Sequence, residues 1–184
     1  MASLWTYLIL SRGDEDAMKV LHERPPEWIM QGCLNQFRVN VERTFWTYGD
    51  VLYNPGGLDV RPDIMAHEMQ HERQQKYESL LQYLEPADRV DDEALPGKLV
   101  DAWWKRYLAE PRFRLEQEAE AYGAQYKWFC KHVADRNRRA TFLHMLAEQL
   151  SGPLYQVAVT HLQARTMIEV LAGKRQLPKQ QEDV

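Results

Sequence analysis

One stretch of sequence decides how the fold is read: Asp63-Ile64-Met65-Ala66-His67-Glu68-Met69-Gln70-His71-Glu72-Arg73-Gln74-Gln75. Pro62, directly before it, suits a first helical turn because its missing N–H has no partner to lose there. Asp63 then favours the positive end of the helix dipole. No further glycine or proline occurs before Pro86. The stretch therefore predicts one helix from about Pro62 to about Tyr83.

The residues His67, Glu68 and His71 form a His-Glu-x-x-His motif within this helix. At about 100° per residue, the two histidines share one face, one turn apart, where two imidazoles can bind one metal ion. Zn²⁺ accepts imidazole nitrogen and carboxylate oxygen, and a catalytic zinc site keeps one position for water. Glu68 points about 100° away from His67, which suits a base beside that water better than a ligand. The alternative is a pair of polar surface histidines.

A third protein ligand has to come from another segment. The candidates are Glu116, Glu118 and Glu120, in a second predicted helix that runs from Pro111 to near Asp135. The apolar stripe of that helix consists of Leu115, Ala119, Tyr122, Tyr126, Phe129 and Val133. Glu116 borders the small residues Ala119, Gly123 and Cys130, which should let the histidine helix approach closely. We therefore predict Glu116 as the ligand and Glu120 as the acceptor that holds the outer N–H of a ligand histidine; three exposed glutamates are the alternative.

Together these motifs resemble a known group. His67-Glu68-x-x-His71 followed by Glu116-x-x-Ala119-Glu120-Ala121-Tyr122 is similar to the gluzincin zinc metallopeptidases, in which a glutamate on a later helix completes the site. The run from His67 to Gln75 also resembles the His-Glu-x-x-His-x-x-Gln-Gln run of minimal gluzincins and small phage or prophage proteins. Glu120 departs from the Asp or Asn of the larger families. The resemblance covers roughly residues 37–135 and implies a zincin-like core, bound Zn²⁺ and peptidase activity.

Length and composition limit the remaining possibilities. The 184 residues predict a single domain over residues 1–172, with a polar tail at 173–184. The net charge of −4 and the pI near 5.9 give no basic field, which argues against nucleic-acid binding. Cys33 and Cys130 predict buried thiols rather than a disulfide, as in a reducing cytoplasm. The apolar run Leu4 to Leu10 is too short for a membrane span or a signal peptide.

The predicted fold class is α+β and mostly helical, with a small antiparallel sheet ahead of the histidine helix. Strand signals lie between Gln36 and Tyr53, where Phe37, Val39 and Val41 alternate with polar residues and Gly49-Asp50 marks a turn. The sheet either lends an edge to an extended peptide or only covers the helices. Further helices are predicted at Leu4 to Leu10, Ala17 to His22, Trp28 to Cys33, Leu99 to Glu110, Thr141 to Leu150 and Thr160 to Ala172.

The resulting functional hypothesis is a cytoplasmic zinc-dependent peptidase acting on a peptide or protein substrate. His67, His71 and Glu116 hold Zn²⁺, Glu68 is the general base, and Tyr122 is a candidate donor to the oxyanion. The alternative from another class is a non-catalytic zinc protein, such as a phage or prophage assembly or host-interaction factor on a peptidase-like scaffold. A metal-free helical adaptor is the third reading. The substrate and the oligomeric state do not follow from the sequence.

Overall fold

The computed structural model describes residues 18–89 and 93–174. The chain divides into two compact units, residues 1–110 and residues 111–184. The prediction of one domain over residues 1–172 stays a prediction. The predicted helix at Leu4 to Leu10 lies outside the described residues, as does all of the predicted tail beyond Lys174.

In its described residues, the first unit combines three α-helices with a three-stranded sheet. The helices are α1 (Glu27–Gln36), α2 (Pro62–Gln74) and α3 (Leu95–Ala109), and the strands are β1 (Lys19–Leu21), β2 (Trp46–Tyr48) and β3 (Val51–Tyr53). The strand order is β1-β3-β2, with β2 antiparallel and β1 parallel to β3. Leu52 therefore pairs with Val20 on one side and Thr47 on the other. The sheet is mixed, and the prediction of an antiparallel sheet was wrong for β1.

Two local predictions in this unit were also wrong. The alternating run from Phe37 to Glu42 forms no strand, because Asn40 instead caps a short 3-10 helix at Val41–Arg43, where its side chain accepts the N–H of Glu42. The segment predicted as a helix at Ala17 to His22 contains β1. Its backbone bonds are long-range, as in the 2.7 Å bond from the Asn54 N–H to the Leu21 carbonyl. A three-residue strand of this kind depends on its partner rather than on its own sequence.

The histidine helix is shorter than predicted. α2 ends at Gln74, and the chain continues through a 3-10 helix at Glu78–Tyr83. Gln75, at the end of α2, is fully buried, and its amide group binds backbone atoms of the β2–β3 hairpin. α2 thus ends directly before Gln75, whose side chain is held by hydrogen bonds to the backbone of Thr47 and Gly49.

Over residues 111–174, the second unit contains the α-helices α4 (Pro111–His132), α5 (Arg136–Leu150) and α6 (His161–Leu171), with a 3-10 helix at Pro153–Tyr155. Asp135 caps α5, and hydrogen bonds from the backbone N–H groups of Arg138 and Asn137 lower the pKa of its carboxyl. The buried core of the unit is formed by Leu115, Ala119, Tyr126, Cys130, Phe142, Leu143, Leu146, Ala147, Leu150, Tyr155, Ala164, Ile168 and Ala172. At Gly123, α4 and α6 come so close that an added Cβ would lie 2.7 Å from the Leu171 Cβ.

The predicted fold class is confirmed: the chain is mostly helical α+β with a small sheet ahead of the histidine helix. Cys33 and Cys130 are buried, and neither is in a disulfide, as predicted. Across residues 18–89 and 93–174, no helix combines the length and the apolar character needed to cross a membrane.

Candidate metal centre

The two histidines of the motif meet on one face of α2. The Nε2 atoms of His67 and His71 lie 3.2 Å apart, and both side chains are buried, with 9% and 7% of their surface exposed. Two nitrogen ligands at about 2.0–2.1 Å from a tetrahedral ion would lie about 3.3 Å from each other. The spacing of the two Nε2 atoms therefore fits a shared metal ion.

The outer nitrogen of His71 also has a partner suited to metal binding. His71 Nδ1 lies 2.8 Å from the side-chain oxygen of Gln74, which is fully buried. An amide oxygen only accepts hydrogen bonds, so this contact requires the proton of the imidazole on Nδ1, which leaves Nε2 as the nitrogen that can bind a metal ion. Gln74 thus holds His71 in the tautomer that a metal ion requires. No such role was predicted for Gln74 from the sequence, although its position three residues after His71 was a usable signal.

Glu118 is the third residue of a cluster that could bind a metal ion. One ligand atom from each of His67, His71 and Glu118 lies within 4.8 Å of the others, and all three residues are buried. Two imidazoles and a carboxylate are a donor set that zinc sites use. These three residues could therefore hold a metal ion.

Glu116, the third ligand predicted from the sequence, is not part of this cluster, and its role as a ligand stays a prediction. Glu116 is exposed and pairs with Arg112 at 3.1 Å on the surface of α4. Glu116 was predicted because the small side chains beside it were expected to let the histidine helix pack closely against α4. Within the second unit, the small residue Gly123 instead lies against Leu171 of α6. The small-residue side of α4 therefore serves helix packing within this unit.

The other residues predicted on α4 have different surroundings from those expected. Glu120 is half-buried, and its role toward a ligand histidine stays a prediction. The Tyr122 hydroxyl donates to the side chain of Gln149 at 3.2 Å and lies 3.4 Å from the Tyr155 hydroxyl. Tyr155 is buried and donates to Glu118 Oε2 at 3.4 Å. Tyr155, to which no sequence motif pointed, thus contributes a hydroxyl that contacts the candidate ligand.

Glu68 is buried beside the histidines and held by strand β2. The Thr47 hydroxyl donates to Glu68 Oε2 at 2.8 Å. The Thr47 carbonyl accepts from Gln75 Nε2 at 2.9 Å and from Trp104 Nε1 at 3.0 Å. No local pattern pointed to Thr47, because its partners lie 21 to 57 residues away. Because the Thr47 carbonyl already accepts two hydrogen bonds, it is not available to accept another from a peptide strand added at this point of β2.

Next along β2, Tyr48 donates to Asp101 Oδ1 at 2.7 Å. Burial, together with the neighbouring Asp101 carboxylate, raises the pKa of Tyr48 far above its usual value. Tyr48 therefore stays protonated even at alkaline pH and keeps this hydrogen bond between β2 and α3.

Comparison with known proteins adds no relative: the chain matches no protein-family model, no curated protein and no solved structure. The resemblance to gluzincins therefore consists of the two short motifs alone.

Proposed function

We propose that this chain is a zinc-dependent peptidase, in which His67, His71 and Glu118 hold the ion. The observation that carries the proposal is the convergence of these three buried donors, two of them with Nε2 atoms 3.2 Å apart. The His-Glu-x-x-His spacing supports zinc among the metals that such donors bind, because it is the spacing of zinc hydrolase sites.

Glu68 is the residue that favours a hydrolase over a metal site without catalytic activity. It follows His67 directly, is buried, and accepts one hydrogen bond from Thr47 on Oε2. A carboxylate in this position can take a proton from an attacking water and deliver it to the leaving amine. When bound, the ion would supply an acidified water and polarise the scissile carbonyl.

A second candidate is a zinc protein without catalysis, for example an assembly or host-interaction factor. Burial favours it, because His67, His71 and Glu118 each expose less than a tenth of their surface. A structural zinc site has four protein ligands, whereas a catalytic one keeps a position for water. The two candidates therefore differ in whether hydrolysis accompanies metal binding.

The test compares Glu68→Gln with the wild type and with Glu72→Gln, a control on the same helix whose carboxylate pairs with Lys76. We expect about one zinc per chain in all three proteins. Cleavage of a dye-labelled unfolded protein by Glu68→Gln should fall about 10²- to 10⁴-fold, while Glu72→Gln keeps wild-type turnover.

Three results would contradict parts of the proposal. Undiminished turnover in Glu68→Gln would remove Glu68 as the base. Purified wild type that carries zinc yet cleaves no unfolded protein or peptide library would favour the non-catalytic candidate, and iron in place of zinc would contradict the proposed metal.

A further inference from the structure

Thr47 is the point where three elements of the first unit meet. It lies in the middle of β2, is 3% exposed, and pairs across the sheet with the fully buried Leu52. Its hydroxyl reaches Glu68 of α2, and its carbonyl is bound by Trp104 of α3 and by Gln75 at the end of α2. Both polar ends of this residue are therefore committed to neighbouring helices.

The backbone of Thr47 is fixed independently of Glu68. Gln75 donates to the Thr47 carbonyl through Nε2 and accepts the N–H of Gly49 through Oε1 at 2.7 Å. The side chain of Gln75 is fully buried, so this bridge is shielded from competing water. The indole of Trp104 adds a second donor to the same carbonyl. Thr47 thus presents its hydroxyl from a rigid position.

The hydroxyl limits the rotation of the Glu68 carboxylate. The terminal torsion of a glutamate is broad and roughly two-fold, so a buried carboxylate without a fixed partner can exchange its two oxygens. The β-branched side chain of Thr47 has a restricted χ1, and its 2.8 Å bond to Oε2 selects one orientation. Oε1 is then the oxygen that remains for proton transfer.

We propose that Thr47 is a positioning residue that orients the Glu68 carboxylate for proton transfer. This inference rests on the proposed function, because orientation of Glu68 matters for turnover only if Glu68 is the base. Misplacement of a reacting group by about 1 Å can cost about 100-fold in rate. Loss of the hydroxyl should therefore act on kcat and leave the zinc content and KM nearly unchanged.

The experiment compares Thr47→Val, which keeps the shape, with Thr47→Ser, which keeps the hydroxyl. Thr44→Val is the matched control, since its hydroxyl bonds to the Asn40 carbonyl and not to Glu68. We expect Thr47→Val to lower kcat about 10- to 100-fold with one zinc retained, and Thr47→Ser and Thr44→Val to stay close to wild type. A wild-type kcat in Thr47→Val, or a Ser variant as slow as the Val variant, would overturn the proposal.

A second readout needs no substrate. Thermal unfolding of Thr47→Val, Glu68→Met and the double variant should give a Tm loss in the double variant smaller than the sum of the single losses. Additive losses would show that the two side chains do not interact and would overturn the proposal. A wild type without hydrolysis would remove the proposed function and the kinetic role of Thr47 together. An active wild type with unchanged kcat in Thr47→Val would remove the role of Thr47 alone.

Discussion

The helices α2 and α5 bury similar numbers of side chains of opposite character. α2 has 13 residues and buries Asp63, His67, Glu68, His71 and Gln74, whereas α5 has 15 residues and buries Phe142, Leu143, Leu146, Ala147 and Leu150. Burial of apolar area stabilises a helix directly. Burial of polar groups costs free energy unless each group finds a partner. The buried residues of α5 are thus explained by their contribution to stability. The burial of five polar residues in α2 requires a further explanation.

The partners of the α2 side chains supply part of that reason. His71 has Gln74, and Glu68 has Thr47, each at 2.8 Å. Such a network specifies the positions of its members more narrowly than an apolar core does, since hydrogen bonds are directional. An apolar core, by contrast, constrains only the volume and shape of its side chains. Substitutions in α5 should therefore change mainly the stability of the fold, whereas substitutions in α2 should change mainly metal binding.

The largest expected effect on stability is in α5. Leu146→Ala removes a side chain that is 1% exposed and should lower the free energy of unfolding by about 2–5 kcal/mol through lost burial and the cavity left behind. Chemical denaturation measures this loss. Its neighbour Met145 is 39% exposed, so Met145→Ala should change stability by about 0.5 kcal/mol or less. Equal losses in the two variants would contradict the described packing of α5.

A smaller effect, visible in metal affinity rather than in folding, is expected in α2. Gln74→Met keeps the volume but removes the acceptor for His71 Nδ1, and it should weaken zinc binding about 10- to 100-fold in a chelator competition. Gln70→Met on the same helix is the control, because the Gln70 amide donates to the Tyr77 hydroxyl at 3.4 Å. Equal zinc affinities in Gln74→Met and Gln70→Met would remove Gln74 from the site.

Sequence reasoning located α2 and its histidine pair because both depend on local rules. The i, i+4 spacing places His67 and His71 on one face of any helix, and Pro62 and Asp63 suit its start. The third donor follows no local rule. Glu116 and Glu118 are equally good helix residues, and only tertiary packing leaves one exposed and the other buried.

The same limit applies to the sheet and to Thr47. β1 has three residues and owes its hydrogen bonds to Asp50 and Asn54, about thirty positions later in the chain. The alternating pattern at Phe37 to Glu42 predicted a strand, but the hydrogen bond from the Glu42 N–H to the Asn40 side chain caps a 3-10 helix there instead. Thr47 carries no motif, because its contacts with Glu68, Gln75 and Trp104 arise only in the folded unit.

The most direct test of the metal centre is the zinc content of Glu118→Gln beside that of Glu116→Gln. Both substitutions remove one carboxylate from the same helix, one buried and one exposed. Elemental analysis after dialysis should find about one zinc per chain in the wild type and in Glu116→Gln, and a large loss in Glu118→Gln. Full zinc in Glu118→Gln, or zinc lost in Glu116→Gln instead, would contradict the assignment of Glu118 as the third ligand.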